Sequence, residues 1–83
     1  MIESKEQLLD GFREKARAFV ESPGLMSGID LDDAAVTLKR YALSELHDQE
    51  LASLLGRLPK LLRSLDVTAV VGLLEQIETH LAD

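Results

Sequence analysis

Apolar residues recur with helical spacing along the whole chain of 83 residues. No stretch shows the strict alternation, or the density of β-branched and aromatic residues, that a strand needs. Short connections favour antiparallel neighbours, and the length fits one domain. The pattern therefore predicts an all-α fold, a small bundle of four amphipathic helices over approximately residues 4–21, 31–46, 49–65 and 67–82.

The first helix has clear signals at both ends. Ser4 followed three residues later by Gln7 forms a capping box, in which each side chain bonds the other residue's backbone N–H. The sequence "SPG" at 22–24 ends the helix. Residues 25–29, "LMSGI", are expected to form an apolar connector that folds back over one end of the bundle.

Aspartates mark the starts of the other three helices. Asp30 precedes the second helix, and Asp32 and Asp33 fall in its first turn, where the helix dipole favours negative charge. Asp48 and Asp66 are the expected N-caps of the third and fourth helices.

One face of each helix is apolar and is predicted to be buried. These faces are Leu8, Leu9, Phe12, Ala16, Phe19 and Val20 in the first helix; Leu31, Ala34 or Ala35, Leu38, Tyr41 or Ala42, and Leu46 in the second; and Val67, Val70, Val71, Leu74, Ile77 and Leu81 in the fourth.

The third helix carries a regular leucine pattern interrupted by Gly56 and Pro59. Leucines lie seven residues apart in three sets: Leu51, Leu58 and Leu65; Leu54 and Leu61; Leu55 and Leu62. Two heptads are too few for a free coiled coil, so this stripe is held either by the other helices or by a partner. A straight helix through Gly56 and Pro59 would be less stable by about 3 kcal/mol or more, which predicts a kink or break between these two residues.

Composition narrows the classes of function. The chain has no cysteine, which excludes disulfides and thiolate metal sites, and its net charge is −6, which disfavours nucleic acid. The amino terminus has no apolar run suited to a signal peptide or a membrane span. We therefore expect a cytoplasmic protein that binds neither nucleic acid nor membrane.

No set of residues has the pattern of an active site. His47 and His80 are far apart in sequence, and Asp30, Asp32 and Asp33 lack the glycine and terminal glutamate of an EF-hand. The serines have no histidine at a suggestive spacing, and no glycine pattern fits a phosphate loop. The sequence predicts a protein that is not an enzyme and has no cofactor or metal.

The remaining candidates for function are surface residues. Residues 51–65 hold three cations and no acid, whereas the segments on either side are acidic. Leu25, Met26, Leu43 and Leu73 are surplus to the predicted faces. The candidate partner-binding residues are Lys39, Arg40, Leu43, Arg57, Lys60, Arg63 and Leu73. The expected partner is another protein chain that packs on a helical face, and a homodimer is one form of this.

The sequence "LHDQELASLLGRL" at 46–58 resembles the helical docking domains at the ends of modular polyketide synthase subunits. The resemblance implies a module that recognises the next subunit, sometimes by forming a four-helix bundle jointly with it. Asp48 and Glu50 match the acidic start of such helices. The packing leucines are matched by Leu51, Leu54, Leu55 and Leu58.

Two functions are therefore open at this point. The first is a non-catalytic protein-interaction module, and its specific form is a polyketide synthase docking domain. The second is a small acidic regulator, of the immunity-protein or antitoxin type, that binds and inhibits a basic protein. In that case the acidic residues at 30–33, 45–50 and 75–83 carry the binding.

Overall fold

The computed structural model describes residues 4–82. Among these residues there is no strand. The four helices are α1 (Lys5–Glu21), α2 (Leu25–Tyr41), α3 (Gln49–Arg63) and α4 (Val67–Ala82), with one π-helical turn (Ala42–Leu46) continuing α2. The predicted all-α architecture of four helices is confirmed.

Three of the four predicted helix starts are formed by the expected caps. The Ser4 hydroxyl accepts the Gln7 N–H at 3.2 Å, and the Ser4 N–H donates to the Gln7 amide oxygen at 3.0 Å. The carboxylates of Asp48 and Asp66 each accept a backbone N–H of the following turn, at 3.0 and 3.1 Å. Local hydrogen bonding therefore sets these boundaries.

The start of α2 differs from the prediction. The helix begins at Leu25, directly after Gly24, and has no side-chain cap, so Asp30 lies inside it. Gly28 is buried against α1, where an added Cβ would lie 3.7 Å from a ring carbon of Phe19. Packing against α1 thus extends the helix by more than a turn beyond its polar signals, and the expected apolar connector is helical.

The leucine stripe of α3 is held by this chain. Leu51, Leu55, Leu58 and Leu62 are buried in the common core, and Leu65 lies beyond the end of the helix. α3 passes through Gly56 and Pro59 as one helix. The chain does not break there, and the predicted kink stays a prediction.

The other helices contribute to the same core. α2 buries Ala35 and Ala42 rather than Ala34 and Tyr41, which are half-buried. The remaining buried apolar side chains are Leu9, Phe12, Ala16, Phe19, Leu31, Leu38, Ala52, Val70, Leu73 and Ile77.

The prediction for Leu73 is wrong. We expected Leu73 to be surplus to the buried face of α4 and available to a partner, but it is only 3% exposed. The fully buried positions of α4 are Val70, Leu73 and Ile77, at spacings of three and four residues. Leu74, which we included in the predicted face, is half-buried. The buried face of α4 is therefore centred on Val70, Leu73 and Ile77.

The helices pack mainly against their neighbours in sequence. α1 packs on α2, α2 on α3 and α3 on α4, whereas α1 touches α4 only lightly. Arg13 of α1 reaches Glu78 of α4 through two hydrogen bonds of 2.8 and 3.0 Å. Within residues 4–82 no helix is long and apolar enough to cross a bilayer.

Candidate interaction surface

α2 carries a second apolar stripe that the core does not cover. Leu25, Ile29, Val36 and Leu43 are exposed by 76, 47, 37 and 46%. With Asp32 and Lys39 between them, the spacings are 4, 3, 4, 3 and 4 residues, the repeat of a helix that packs along a partner helix. We call these six residues the α2 outer stripe. Single exposed leucines are normal on a protein surface, but a heptad row of them indicates a contact surface.

A groove runs between the first half of α2 and the end of α3. Its cavity has a volume of about 250 Å³. This is below the roughly 300–1,000 Å³ typical of pockets for small molecules, and the walls are mostly apolar. The lining residues are Gly24, Leu25, Gly28, Ile29, Asp32, Pro59, Leu62, Arg63 and Leu65. The groove therefore suits one or two inserted side chains better than a cofactor.

Leu65 is held at the rim of this groove in an unfavourable backbone conformation. Its φ is 54°, in the left-handed region, and its side chain is 54% exposed. The N–H groups of Leu65 and Asp66 donate to the carbonyls of Leu62 and Leu61 at 3.1 and 3.4 Å, the Schellman pattern that closes a helix. Glycine usually occupies this position, because other residues lose roughly 1–2 kcal/mol in it.

Asp32 supplies an unpaired acceptor at the groove. Its Oδ1 is buried and has no hydrogen-bond partner among the described residues. A buried acceptor without a donor costs about 1–3 kcal/mol. A donor brought by a binding partner recovers that free energy only by entering the groove and displacing the atoms that cover Oδ1.

Cations border the stripe on the α3 side. Arg63 lines the groove, and Lys39 extends over Gly56, where an added Cβ would lie 3.2 Å from the Lys39 Nζ. Lys60 follows Gly56 by one helical turn and is exposed, as is Arg40 next to Lys39. This edge of the molecule is therefore locally basic on a chain of net charge −6.

The structure brings together some of the predicted partner-binding residues and separates others. Lys39, Leu43 and Arg63 belong to the α2 outer stripe or to the groove. Arg57 is exposed, lies about 100° around α3 from Gly56 and does not line the groove, and Leu73 is in the core. The sequence reading missed Ile29, Val36 and Leu65; the heptad spacing along α2 is the signal that finds the first two.

His80, in the last turn of α4, has a structural role. His80 Nε2 lies 2.7 Å from Asp48 Oδ2, and its Nδ1 lies 3.5 Å from Glu50. The pKa of Asp48 is lowered, first by the Leu51 N–H at the N-cap and then by His80. These contacts tie the end of α4 to the start of α3.

Residues 4–82 contain no cluster of metal-ligating side chains and one further pair that joins two helices. Within this range no group of three His, Cys, Asp or Glu residues could hold a metal ion. The pKa of Arg13 is raised by its hydrogen bond to Glu78, which joins α1 and α4 at the surface. The Arg13–Glu78 and His80–Asp48 pairs each join two helices, and neither lies in the groove between α2 and α3.

Comparison with known proteins gives no relative. No family model matches the chain, and no curated protein or solved structure matches it either. The resemblance of residues 46–58 to docking helices stays a prediction, and the geometry of the α2 outer stripe is the basis for a functional proposal.

Proposed function

We propose that this chain is a non-catalytic protein-interaction module that binds another protein chain along the α2 outer stripe. The observation that carries the proposal is the heptad row of exposed apolar residues beside an apolar groove. The core already covers Leu51, Leu55, Leu58 and Leu62 of α3. The second apolar face of α2 is available for recognition.

The specific form of this proposal is a docking domain of a modular polyketide synthase, acting in the cytoplasm. It is supported by the resemblance at residues 46–58 and by the four-helix architecture. Leu51, Leu55 and Leu58 of the resembling segment are buried within the chain. We therefore assign partner contact to α2 and to the edge of α3. The bend that we propose in α3 near Pro59 would shape that edge.

Charge reversal on this edge tests the proposal. Arg63→Glu should remove a co-purifying partner when the tagged chain is isolated from its own cells. Arg57→Glu is the matched control, because it makes the same change of charge on the same helix at a position about 120° around the helix axis from Arg63 and outside the groove. Equal recovery of every partner by the two variants would argue against the proposal, provided that circular dichroism shows unchanged helix content.

An acidic regulator is the second candidate, and most of its acidic residues are exposed, although some are paired within the chain. Asp48 and Glu50 are engaged with His80, and Asp30 and Asp33 line a separate groove between α1 and α2 that also contains Lys15. Asp83 lies outside the described residues. Asp30→Lys with Asp33→Lys should abolish capture if this alternative holds and should leave it intact if the α2 outer stripe is the binding surface.

A further inference from the structure

From the charges around the α2 outer stripe we infer the chemistry of its partner: an amphipathic helix with acidic flanks. This inference rests on the proposed function and specifies it. The α-helical part of the stripe extends from Leu25 to Lys39, a distance of about 21 Å at 1.5 Å per residue, and Leu43 follows in the π-helical turn that continues α2. A row of that length matches one face of a helix of about four to five turns.

The apolar part of the match is set by shape. Leu25, Ile29, Val36 and Leu43 recur at heptad spacing, so apolar residues of a partner helix can pack between them at the same spacing. At the Leu25 end, the groove of about 250 Å³ can take an inserted side chain. These apolar contacts contribute to affinity and do not depend on the charge of the partner helix.

Charge selects among such helices. Lys39 lies within the stripe, Arg63 lines the groove, and Lys60 is exposed on the same edge of α3. A helix with glutamates along the side of its apolar row that faces α3 can meet these cations at short range. A second copy of this chain would instead bring two locally basic edges together, which charge repulsion disfavours.

Asp32 adds one further requirement. It lies near the middle of the stripe, and its buried Oδ1 has no donor among the described residues. A partner helix satisfies this acceptor when a side-chain N–H enters the groove and displaces the atoms that cover Oδ1. Replacing that N–H by an apolar group leaves the acceptor unpaired and weakens the complex.

Two synthetic peptides of about 21 residues test the inference, since this length covers the stripe. Both have leucine at heptad positions a and d, with one central glutamine to meet Asp32. The first has glutamate at positions e and g, and the second has lysine there. Each is titrated into the full-length ¹⁵N-labelled chain at about 0.15 M salt, where charges more than about 8 Å apart are screened.

Comparing the two peptides shows whether binding depends on the net charge of the chain or on the local charge beside the α2 outer stripe. A net charge of −6 would favour the lysine peptide, whereas the edge of the α2 outer stripe favours the glutamate peptide. We expect the glutamate peptide to bind at least about tenfold more tightly, a difference of roughly 1.4 kcal/mol. Its amide shift changes should lie along α2 and the second half of α3.

Matched variants locate the contact. Val36→Asp should weaken binding of the glutamate peptide at least about tenfold, because it buries an unpaired charge in the contact. Val20→Asp is the control: Val20 is 40% exposed on α1 and Val36 is 37% exposed on α2, so the two changes perturb a helix surface similarly. Val20→Asp should bind as the unchanged chain does.

Four results would overturn the inference. These are equal or tighter binding of the lysine peptide, shift changes confined to α4, no binding of either peptide, and a dimer in light scattering whose α2 outer stripe is covered by a second copy. The proposed function is judged separately. If neither peptide binds but Arg63→Glu still loses a natural partner that Arg57→Glu retains, only the chemistry assigned to the partner is wrong.

Discussion

At the residue scale, Leu65 combines an unfavourable backbone with an exposed apolar side chain. Its left-handed conformation costs roughly 1–2 kcal/mol relative to glycine, and burying about half of a leucine returns about 1 kcal/mol. Its side chain is 54% exposed, so these two amounts nearly cancel. A substitution of Leu65 can therefore change partner binding while leaving the free energy of unfolding nearly unchanged.

Leu65→Gly should change the free energy of unfolding by less than about 1 kcal/mol, because relief of the left-handed strain offsets the lost contacts. The same change should weaken partner binding, since it removes one wall of the groove. Urea denaturation and peptide titration of the same sample measure the two effects. Unchanged binding together with unchanged stability would exclude Leu65 from the contact surface.

Asp48 is the residue from which we expect a pH effect on stability. Its pKa is lowered from 3.8 by the Leu51 N–H and by His80, so the folded state favours the charged carboxylate. The resulting stabilisation is complete above the pKa of the unfolded chain and is lost as the pH falls through the lower folded pKa. Below that pH the carboxylate adds nothing.

Asp48→Asn isolates this charge, because asparagine keeps a good N-cap. The variant should be less stable than the unchanged chain at pH 6, and the difference should vanish towards pH 2. Asp48→Ala should in addition lose about 1 kcal/mol of capping at every pH. Thermal unfolding across this range is the measurement. A difference between Asp48→Asn and the unchanged chain that is constant with pH would contradict the assignment.

At the scale of the element, α3 tolerates two residues that weaken helices. Gly56 lies beside Lys39, and an added Cβ there would come within 3.2 Å of the Lys39 Nζ. That atom is the end of a flexible side chain, so it can move at little cost. Helix propensity therefore dominates at this position, and alanine should be the better residue for stability.

Gly56→Ala should raise the free energy of unfolding by about 0.5–1 kcal/mol. Gly11→Ala in α1 is the control, since no atom lies within 4 Å of the Cβ position there, and it should give a similar gain. Denaturant unfolding compares the two. A loss of stability for Gly56→Ala alongside a gain for Gly11→Ala would show that Lys39 is fixed by contacts that the account leaves out.

The helices were predictable wherever a local signal and the packing agreed. Ser4, Asp48 and Asp66 each cap a helix that also begins an apolar face, so sequence reading placed those starts correctly. α2 was placed too late, because Gly24 and Gly28 are typical of a connector. The start of α2 at Leu25 places Gly28 against Phe19 of α1. This contact between two helices has no local capping signal in the sequence.

At the scale of the whole molecule, net charge and local charge differ in sign. The chain has a net charge of −6, yet Lys39, Lys60 and Arg63 make one edge basic. The sequence allowed those cations to be named as binding residues, but it could not show that Arg63 lines the groove and that Arg57 does not. The α2 outer stripe was missed because its first two residues, Leu25 and Ile29, were assigned to a connector.

The proposal that the α2 outer stripe binds a partner is tested first by the solvent exposure of this stripe in the free chain. Methyl relaxation by a soluble gadolinium chelate reports it, with light scattering on the same sample. We predict a monomer in which the methyl groups of Leu25, Ile29 and Val36 relax as strongly as those of Val20, while Leu31 is protected. Protection of the stripe in a monomer, or a dimer that covers it, would contradict the account.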